Sequence, residues 1–144
     1  MASIHREIGI DATPAQVWDA LRDVGALHTR LAQGFVVDCR LDGDARIVQF
    51  ANGLQVRELI VDVNDARRRI AWSATGGRLT HHNASAQVQD DGTGRSRVTW
   101  VADLLPHEMA SAVAGMIEQG LQTMRRTLEA EHAASPLGSD WRGG

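Results

Sequence analysis

The sequence of 144 residues lacks two side chains that many enzymes use, because it contains no lysine and no tyrosine. Without a lysine amine there is no Schiff-base chemistry, and without a phenol there is no tyrosine acid catalysis. Cysteine is scarce as well, and the single Cys39 cannot form a disulfide within the chain. Aromatic residues number only four Trp and two Phe. Few large rings are therefore available to fill a core.

The charge of the chain does not favour binding to polyanions. Its formal net charge is -3, its isoelectric point is near 6.0, and no basic run exceeds Arg67–Arg69. Since nucleic-acid binding depends on neutralising phosphates with basic side chains, we expect no nucleic-acid partner. No apolar run approaches the roughly 20 residues of a membrane-spanning helix, and the N-terminus lacks a secretory pattern. These absences predict a cytoplasmic protein without a transmembrane helix.

The first part of the chain predicts one strand and two short helices. In SIHREIGI, from Ser3 to Ile10, isoleucines alternate with polar residues as in a half-buried strand. The segment TPAQ, from Thr13 to Gln16, has the pattern of a capping box with proline at the first helical position. A second short helix is predicted from near Asp23 to before Gly34.

Beyond Gly34 the apolar pattern changes to a period of two, which is typical of strands. Turn sequences rich in Gly, Asn and Asp interrupt it. They separate six predicted strands: FVVDCRL, ARIVQF, LQVRELIVDV, RRIAWSA, THHNASAQVQ and RSRVTWVADL. From Pro106 to about Ala133, apolar residues at three- and four-residue steps predict one long amphipathic helix.

Together these elements predict an α+β fold, in which a curved seven-stranded antiparallel sheet wraps around the long C-terminal helix. Residues 1–134 are expected to form one domain, and residues 135–144, which are mostly small and polar, a disordered tail. Such a sheet encloses more volume than one helix fills. We therefore expect a cavity between sheet and helix.

The order of the elements and several stretches resemble a known superfamily. The stretches are IGIDATPAQVWDAL, NGLQVRELIVDV, RRIAWSA and SRVTWVADLLP, the last directly before the long helix. They resemble the polyketide cyclase/dehydrase and lipid-transport superfamily, also called START-like or SRPBCC, which has the helix-grip fold of the birch pollen allergen. The resemblance covers about residues 3–132 and implies a hydrophobic ligand in the cavity. Its oxygenase members need an iron–sulfur domain and an iron site for which this chain has neither length nor ligand spacing, so no cofactor is expected.

Strand alternation predicts which side chains face the cavity. Trp72 and Trp100 lie on the inward faces of their strands. Phe50 is predicted inward together with Arg46, although the other face of ARIVQF is nearly as apolar. In FVVDCRL all the odd positions are apolar and are predicted to face inward: Phe35, Val37, Cys39 and Leu41.

The strand LQVRELIVDV leaves two alternatives for Glu58. If the set Leu54, Val56, Glu58 and Ile60 faces inward, a carboxylate enters the cavity, which is costly unless it is paired or protonated. If a bulge switches the face, Glu58 is a surface carboxylate beside Arg57.

Two adjacent histidines begin the next-to-last strand. Neighbours on a strand point to opposite sides, so His81 and His82 cannot both reach one metal ion without a bulge, and no metal site is expected. The small apolar residues Ala84 and Ala86 predict that His82 faces the cavity and His81 the solvent. His82 could orient a ligand, act as a base with Glu58, or be hydrogen-bonded within the core.

The leading hypothesis is a protein that binds one small hydrophobic or aromatic molecule, lipid- or polyketide-like. One alternative is a cofactor-independent polyketide cyclase or dehydrase that uses His82 and Glu58 for acid/base chemistry. Another is a non-catalytic interaction module, and an exposed edge strand would permit a homodimer. The predicted ligand-binding residues are His82, Trp72, Trp100, Phe35, Phe50, Met116, Ala84 and Gly120.

Overall fold

The computed structural model describes residues 2–75 and 78–134, and its elements follow the predicted order. Strand β1 spans Ala2–Ile10 and helix α1 spans Pro14–Leu21. A single π-helical turn, Leu27–Leu31, stands where the second short helix is predicted. The predicted tail, residues 135–144, lies outside the described residues.

Six further strands and a long helix complete the fold. The helix, α2, spans Ala110–Ala134 and follows a 3-10 turn at His107–Met109. The strands are β2 (Val36–Asp42), β3 (Ala45–Phe50), β4 (Gln55–Asn64), β5 (Arg69–Thr75), β6 (His81–Asp90) and β7 (Ser96–Leu105).

All seven strands form one antiparallel sheet in the order β1-β7-β6-β5-β4-β3-β2. The two edge strands, β1 and β2, are consecutive in sequence, and the helical segment between them crosses from one edge of the sheet to the other. Helix α2 buries its apolar stripe against the sheet through Ile117, Leu121, Met124 and Leu128. This is the predicted α+β helix-grip arrangement. Among the described residues, no helix is both long and apolar enough to cross a bilayer.

Helix α1 begins with the predicted capping box. The Thr13 hydroxyl accepts a hydrogen bond from the Gln16 backbone N–H at 3.2 Å, and the Gln16 side-chain oxygen accepts one from the Thr13 backbone N–H at 3.1 Å. At the other end, Trp18 Nε1 and Arg22 Nε both donate to Asp65 Oδ1, at 2.9 and 2.8 Å. These bonds tie the helix to the turn between β4 and β5.

The predicted faces of β2 are partly wrong. Val36 and Cys39 are buried, whereas Val37 and Leu41 are exposed. The register of β2 on β3 shifts between Val36 and Asp38, and this bulge adds a residue that breaks the alternation. Leu41 lies near the end of an edge strand, where little covers it.

Buried side chains form two clusters of unequal size. The larger joins β1, β5, β6, β7 and the two helices, and includes Val98, Ala102 and Leu104, which have no solvent exposure. The smaller lies at the other end of the sheet and contains only Ala32, Val36, Cys39 and Val48. Phe35, Phe50 and Val56 are partly buried beside it.

Candidate ligand-binding site

A cavity of about 150 Å³ lies between the sheet and the helices. Its wall is apolar except for Arg46, Glu58 and His82. The apolar part comes from the helical segment (Leu21, Leu27, Leu31 and Ala32), from α2 (Val113, Met116, Ile117, Gly120 and Met124) and from the sheet and its loops (Phe35, Val36, Phe50, Leu54, Val56, Ile70, Trp72, Ala74, Leu79, Ala86 and Trp100).

The structure brings nearly all the predicted site residues to this one cavity. Those on its wall are His82, Glu58, Trp72, Trp100, Phe35, Phe50, Met116 and Gly120. Ala84 is the exception, since it is buried but contributes no atom to the wall. It stands directly opposite Trp72 in the sheet, and a methyl group beside an indole does not reach as far as the cavity. Its near neighbour Ala86 does line the wall.

Two aromatic pairs shape the apolar wall. Trp72 and Trp100 meet edge to face with ring centroids 5.3 Å apart, and Phe35 and Phe50 do the same at 5.3 Å. Gly120 of α2 faces both pairs, and a Cβ atom there would be in van der Waals contact with them, 3.4 Å from Phe35 Cε2 and 3.6 Å from Trp100 Cζ3. The Nε1 atom of Trp100 is buried and has no hydrogen-bond partner among the described residues.

Glu58 faces the cavity and not the solvent. Its own face of β4 points inward, while the neighbouring Leu59 and Val61 are exposed. A register shift does occur in β4, but only after Ile60, too late to turn Glu58 outward. The alternative of a surface carboxylate beside Arg57 is therefore wrong.

Arg46 is the partner of Glu58. Its Nε donates to Glu58 Oε1 at 2.8 Å, and the two residues are only 5% and 8% exposed. Arg46 Nη1 also donates to the Val24 carbonyl at 3.3 Å, and the guanidinium lies 5.9 Å from the Trp72 ring centroid. A buried charge without a partner is energetically costly, whereas two buried opposite charges compensate each other. Arg46 and Glu58 therefore act as one ion pair.

His82 is buried and His81 exposed, as the strand alternation predicts. The Ala74 backbone N–H donates to His82 Nδ1 at 3.0 Å. A backbone N–H can only donate, so Nδ1 carries the lone pair and the neutral ring carries its proton on Nε2. Desolvation by burial lowers the pKa of His82 below its ordinary value, and the nearby Glu58 offsets part of that effect. The ring is thus a neutral hydrogen-bond donor at Nε2.

This contact also changes how β5 and β6 are joined. Their backbone pairing runs from Arg69–Gln87 to Trp72–Ala84 and stops there. Beyond Trp72–Ala84, the His82 imidazole accepts a hydrogen bond from the Ala74 N–H, and the Ser73 hydroxyl donates to the His82 carbonyl at 2.7 Å. Side chains therefore replace the backbone ladder at this end, and the tautomer of His82 is set by Ala74 and not by Glu58.

The polar residues of the wall lie in one row across the sheet. Arg46 pairs with Glu58, and Glu58 pairs with Ala74 on the next strand. Ala74 in turn contacts His82. We call Arg46, Glu58, Ala74 and His82 the polar row. Among the described residues, no group of three or more His, Cys, Asp or Glu side chains is placed to hold a metal ion.

Comparison with known proteins identifies the family. A model of the family described as polyketide cyclase/dehydrase and lipid transport matches residues 1–129. The chain belongs to this family. No protein of curated function matches the chain.

Several solved structures share the fold of this family member. An uncharacterised protein from Bacillus thuringiensis superposes with a TM-score of 0.78 at 20% identity, covering 88% of this chain and 98% of the other. The protein XoxI from Bacillus cereus gives 0.78 at 23% identity, covering 92% and 99%. A norcoclaurine synthase point mutant from Thalictrum flavum, in complex with a transition-state analogue, gives 0.69 at 18% identity, covering 92% and 96%. At these sequence identities, the structural similarity shows a shared fold and nothing further.

Proposed function

We propose that this protein binds one small, predominantly aromatic molecule in the cavity between the sheet and α2. The observation that carries the proposal is a predominantly apolar cavity whose wall contains three polar groups, which is the usual make-up of a small-molecule site. Membership of a family described by cyclase, dehydrase and lipid-transport functions supports the same kind of site.

The volume of the cavity sets the size of the ligand. Drug-sized ligands occupy pockets of roughly 300–1,000 Å³, whereas an apolar cavity of about 150 Å³ takes a molecule such as benzene. At about 150 Å³, the cavity of this protein fits a single substituted ring. A long acyl chain or an extended poly-β-keto chain would exceed this volume. Of the lipid- and polyketide-like ligands predicted from the sequence, a one-ring compound is the better match.

A polyketide cyclase or dehydrase is the second candidate, and the shared position of Glu58 and His82 on the cavity wall favours it. Since His82 Nδ1 already accepts a backbone N–H, the ring would donate from Nε2 and Glu58 would act as the base. Such an enzyme would polarise a carbonyl with the imidazole and remove an adjacent proton with the carboxylate. Turnover abolished in Glu58→Gln, with ligand affinity retained, would support this candidate over simple binding.

Titration with toluene, followed by NMR shifts of the Trp72 and Trp100 indole signals, tests the binding proposal. Ligands of seven heavy atoms bind with about -4 to -6 kcal/mol in a well-shaped cavity, so we expect saturation with a dissociation constant of about 0.05–1 mM. Shifts that rise linearly to the solubility limit, without saturation, would contradict the proposal. Native mass spectrometry of protein purified from cells would show a bound natural ligand directly.

A further inference from the structure

The polar row and the contacts of its members define the polar end of the ligand. We propose that the ligand carries a neutral hydroxyl group, phenolic or enolic, that lies above Ala74, donates to Glu58 and accepts from His82. This inference rests on the proposed binding function and adds the chemical class of the ligand.

The spacing of the strands leaves room for such a group. Glu58 pairs with Ala74, and Ala74 contacts His82, so the three residues lie side by side on adjacent strands. Paired strands are about 4.8 Å apart, and the backbone pairing of β5 and β6 has stopped before Ala74 and His82, so the Glu58 and His82 backbones lie at least about 10 Å from each other. Ala74, which stands between them in the sheet, has only a methyl side chain, and all three residues line the cavity. A ligand atom seated there has a carboxylate on one side and an imidazole on the other.

The unused hydrogen-bonding atoms of the row have opposite character. Glu58 Oε1 accepts from Arg46, which leaves Oε2 as an acceptor without a partner among the described residues. His82 Nδ1 accepts from Ala74, which leaves the Nε2 proton as a donor. A hydroxyl group both donates and accepts a hydrogen bond, so one such group satisfies both atoms.

The charge of the row favours a neutral ligand. Arg46 and Glu58 cancel, and burial keeps His82 uncharged near neutral pH. A carboxylate ligand would bring an uncompensated negative charge next to Glu58 in a buried site, which is costly. A ligand without any polar group would leave the two free atoms of the row without partners when it excludes water.

Four probes of similar size test the proposal: toluene, anisole, phenol and benzoate. Phenol is better hydrated than toluene, so apolar burial alone would make toluene the tighter ligand. We expect the row to reverse this order, with phenol binding at least about threefold more tightly than toluene, since hydrogen bonds to charged groups are the stronger ones. Anisole, which cannot donate, should bind no better than toluene, and benzoate should bind weakest.

Two variants locate the effect. In Glu58→Gln, phenol should bind no more tightly than toluene when both are measured in the same variant. Ala74→Val places methyl groups between Glu58 and His82 without altering either, and it should remove the same preference even if Glu58→Gln folds poorly.

The outcomes separate the two proposals. If toluene saturates and phenol binds more weakly, or if benzoate is preferred, the hydroxyl assignment is wrong while the cavity remains a binding site. If both variants keep the phenol preference, the assignment is equally wrong. If none of the four probes saturates, the binding function itself fails.

Discussion

The sheet at β1 and β7 is packed with apolar side chains, whereas the sheet at β3 and β4 carries the buried ion pair and the cavity wall. Val98 and Leu104 on β7 have no solvent exposure and lie in a continuous core. At the other end, the inward positions of the β3–β4 hairpin include Arg46 and Glu58, and the nearby apolar cluster has only four fully buried members. We infer that the β1–β7 region supplies most of the free energy of unfolding. The β3–β4 region is less tightly packed because it forms the wall of the proposed binding site. Regions built for binding commonly are the less stable part of a fold.

The largest effect is expected from separating the buried ion pair. Arg46→Met leaves the Glu58 carboxylate buried without its partner, which should lower the free energy of unfolding by about 3–5 kcal/mol. Urea denaturation measures this change. Arg57 offers a matched control on the same hairpin, since its bond to Asp42 is exposed and Arg57→Met should cost at most about 1 kcal/mol. Adding Glu58→Leu to Arg46→Met should recover most of the loss, and equal effects of the two single arginine variants would contradict the role of burial.

Two leucines compare the packing of the regions directly. Leu104→Ala empties space in the continuous core and should cost about 2–5 kcal/mol. Leu54 is partly exposed and already borders the cavity, so Leu54→Ala should cost less than half as much. Thermal and urea unfolding of both variants give the comparison. Similar losses would mean that the cavity end is packed as tightly as β7.

Acid should weaken the cavity end through His82. Above a pH of about 6.5 the ring is neutral in both the folded and the unfolded chain and contributes nothing to pH dependence. Because burial lowers the pKa of His82 in the folded protein, the unfolded chain binds the proton more readily as the pH falls below that value. The free energy of unfolding should then drop by up to about 1.4 kcal/mol per pH unit from this one group. His82→Gln should flatten the profile between pH 6.5 and 5, and an unchanged slope in that variant would exclude His82 as its source.

The smallest effect concerns a pair of glycines in α2. Alanine in place of glycine inside a helix stabilises it by about 0.5–1 kcal/mol. Gly115 is exposed with nothing near its missing side chain, so Gly115→Ala should give this gain alone. Gly120→Ala puts its methyl group into contact with Phe35 and Trp100, so it should also reduce toluene affinity about threefold or more. Equal toluene affinity in the two variants would show that Gly120 does not limit the cavity.

The sequence predicts the fold well because its signals are local. Each predicted strand agrees with the observed one to within about one residue at each end, since alternation and turn residues act over short distances. The faces of β2 could not be obtained in the same way. A bulge at Val37 leaves no mark in this strand, because the odd positions are apolar on both sides of it.

The site was only partly predictable from the sequence. Alternation alone places Trp72, Trp100 and His82 on the cavity face. The partner of Glu58 could also have been found, because the tight turn that ends at Gly53, with φ of +92°, fixes the hairpin register and sets Arg46 opposite Glu58. The hydrogen bond between Ala74 and His82 could not have been predicted from the sequence, because it depends on how far β5 and β6 separate at their ends.

That contact makes the amide proton of Ala74 a reporter of the proposed binding site. The imidazole accepts this proton only while Nδ1 is unprotonated, so protonation of the ring removes one of the two bonds that hold the ends of β5 and β6 together. Protection of this single amide against hydrogen exchange, relative to the intrinsic exchange rate at each pH, should therefore fall in mild acid, before the rest of the sheet opens. The side chain that we propose to orient the ligand therefore also joins two strands of the sheet.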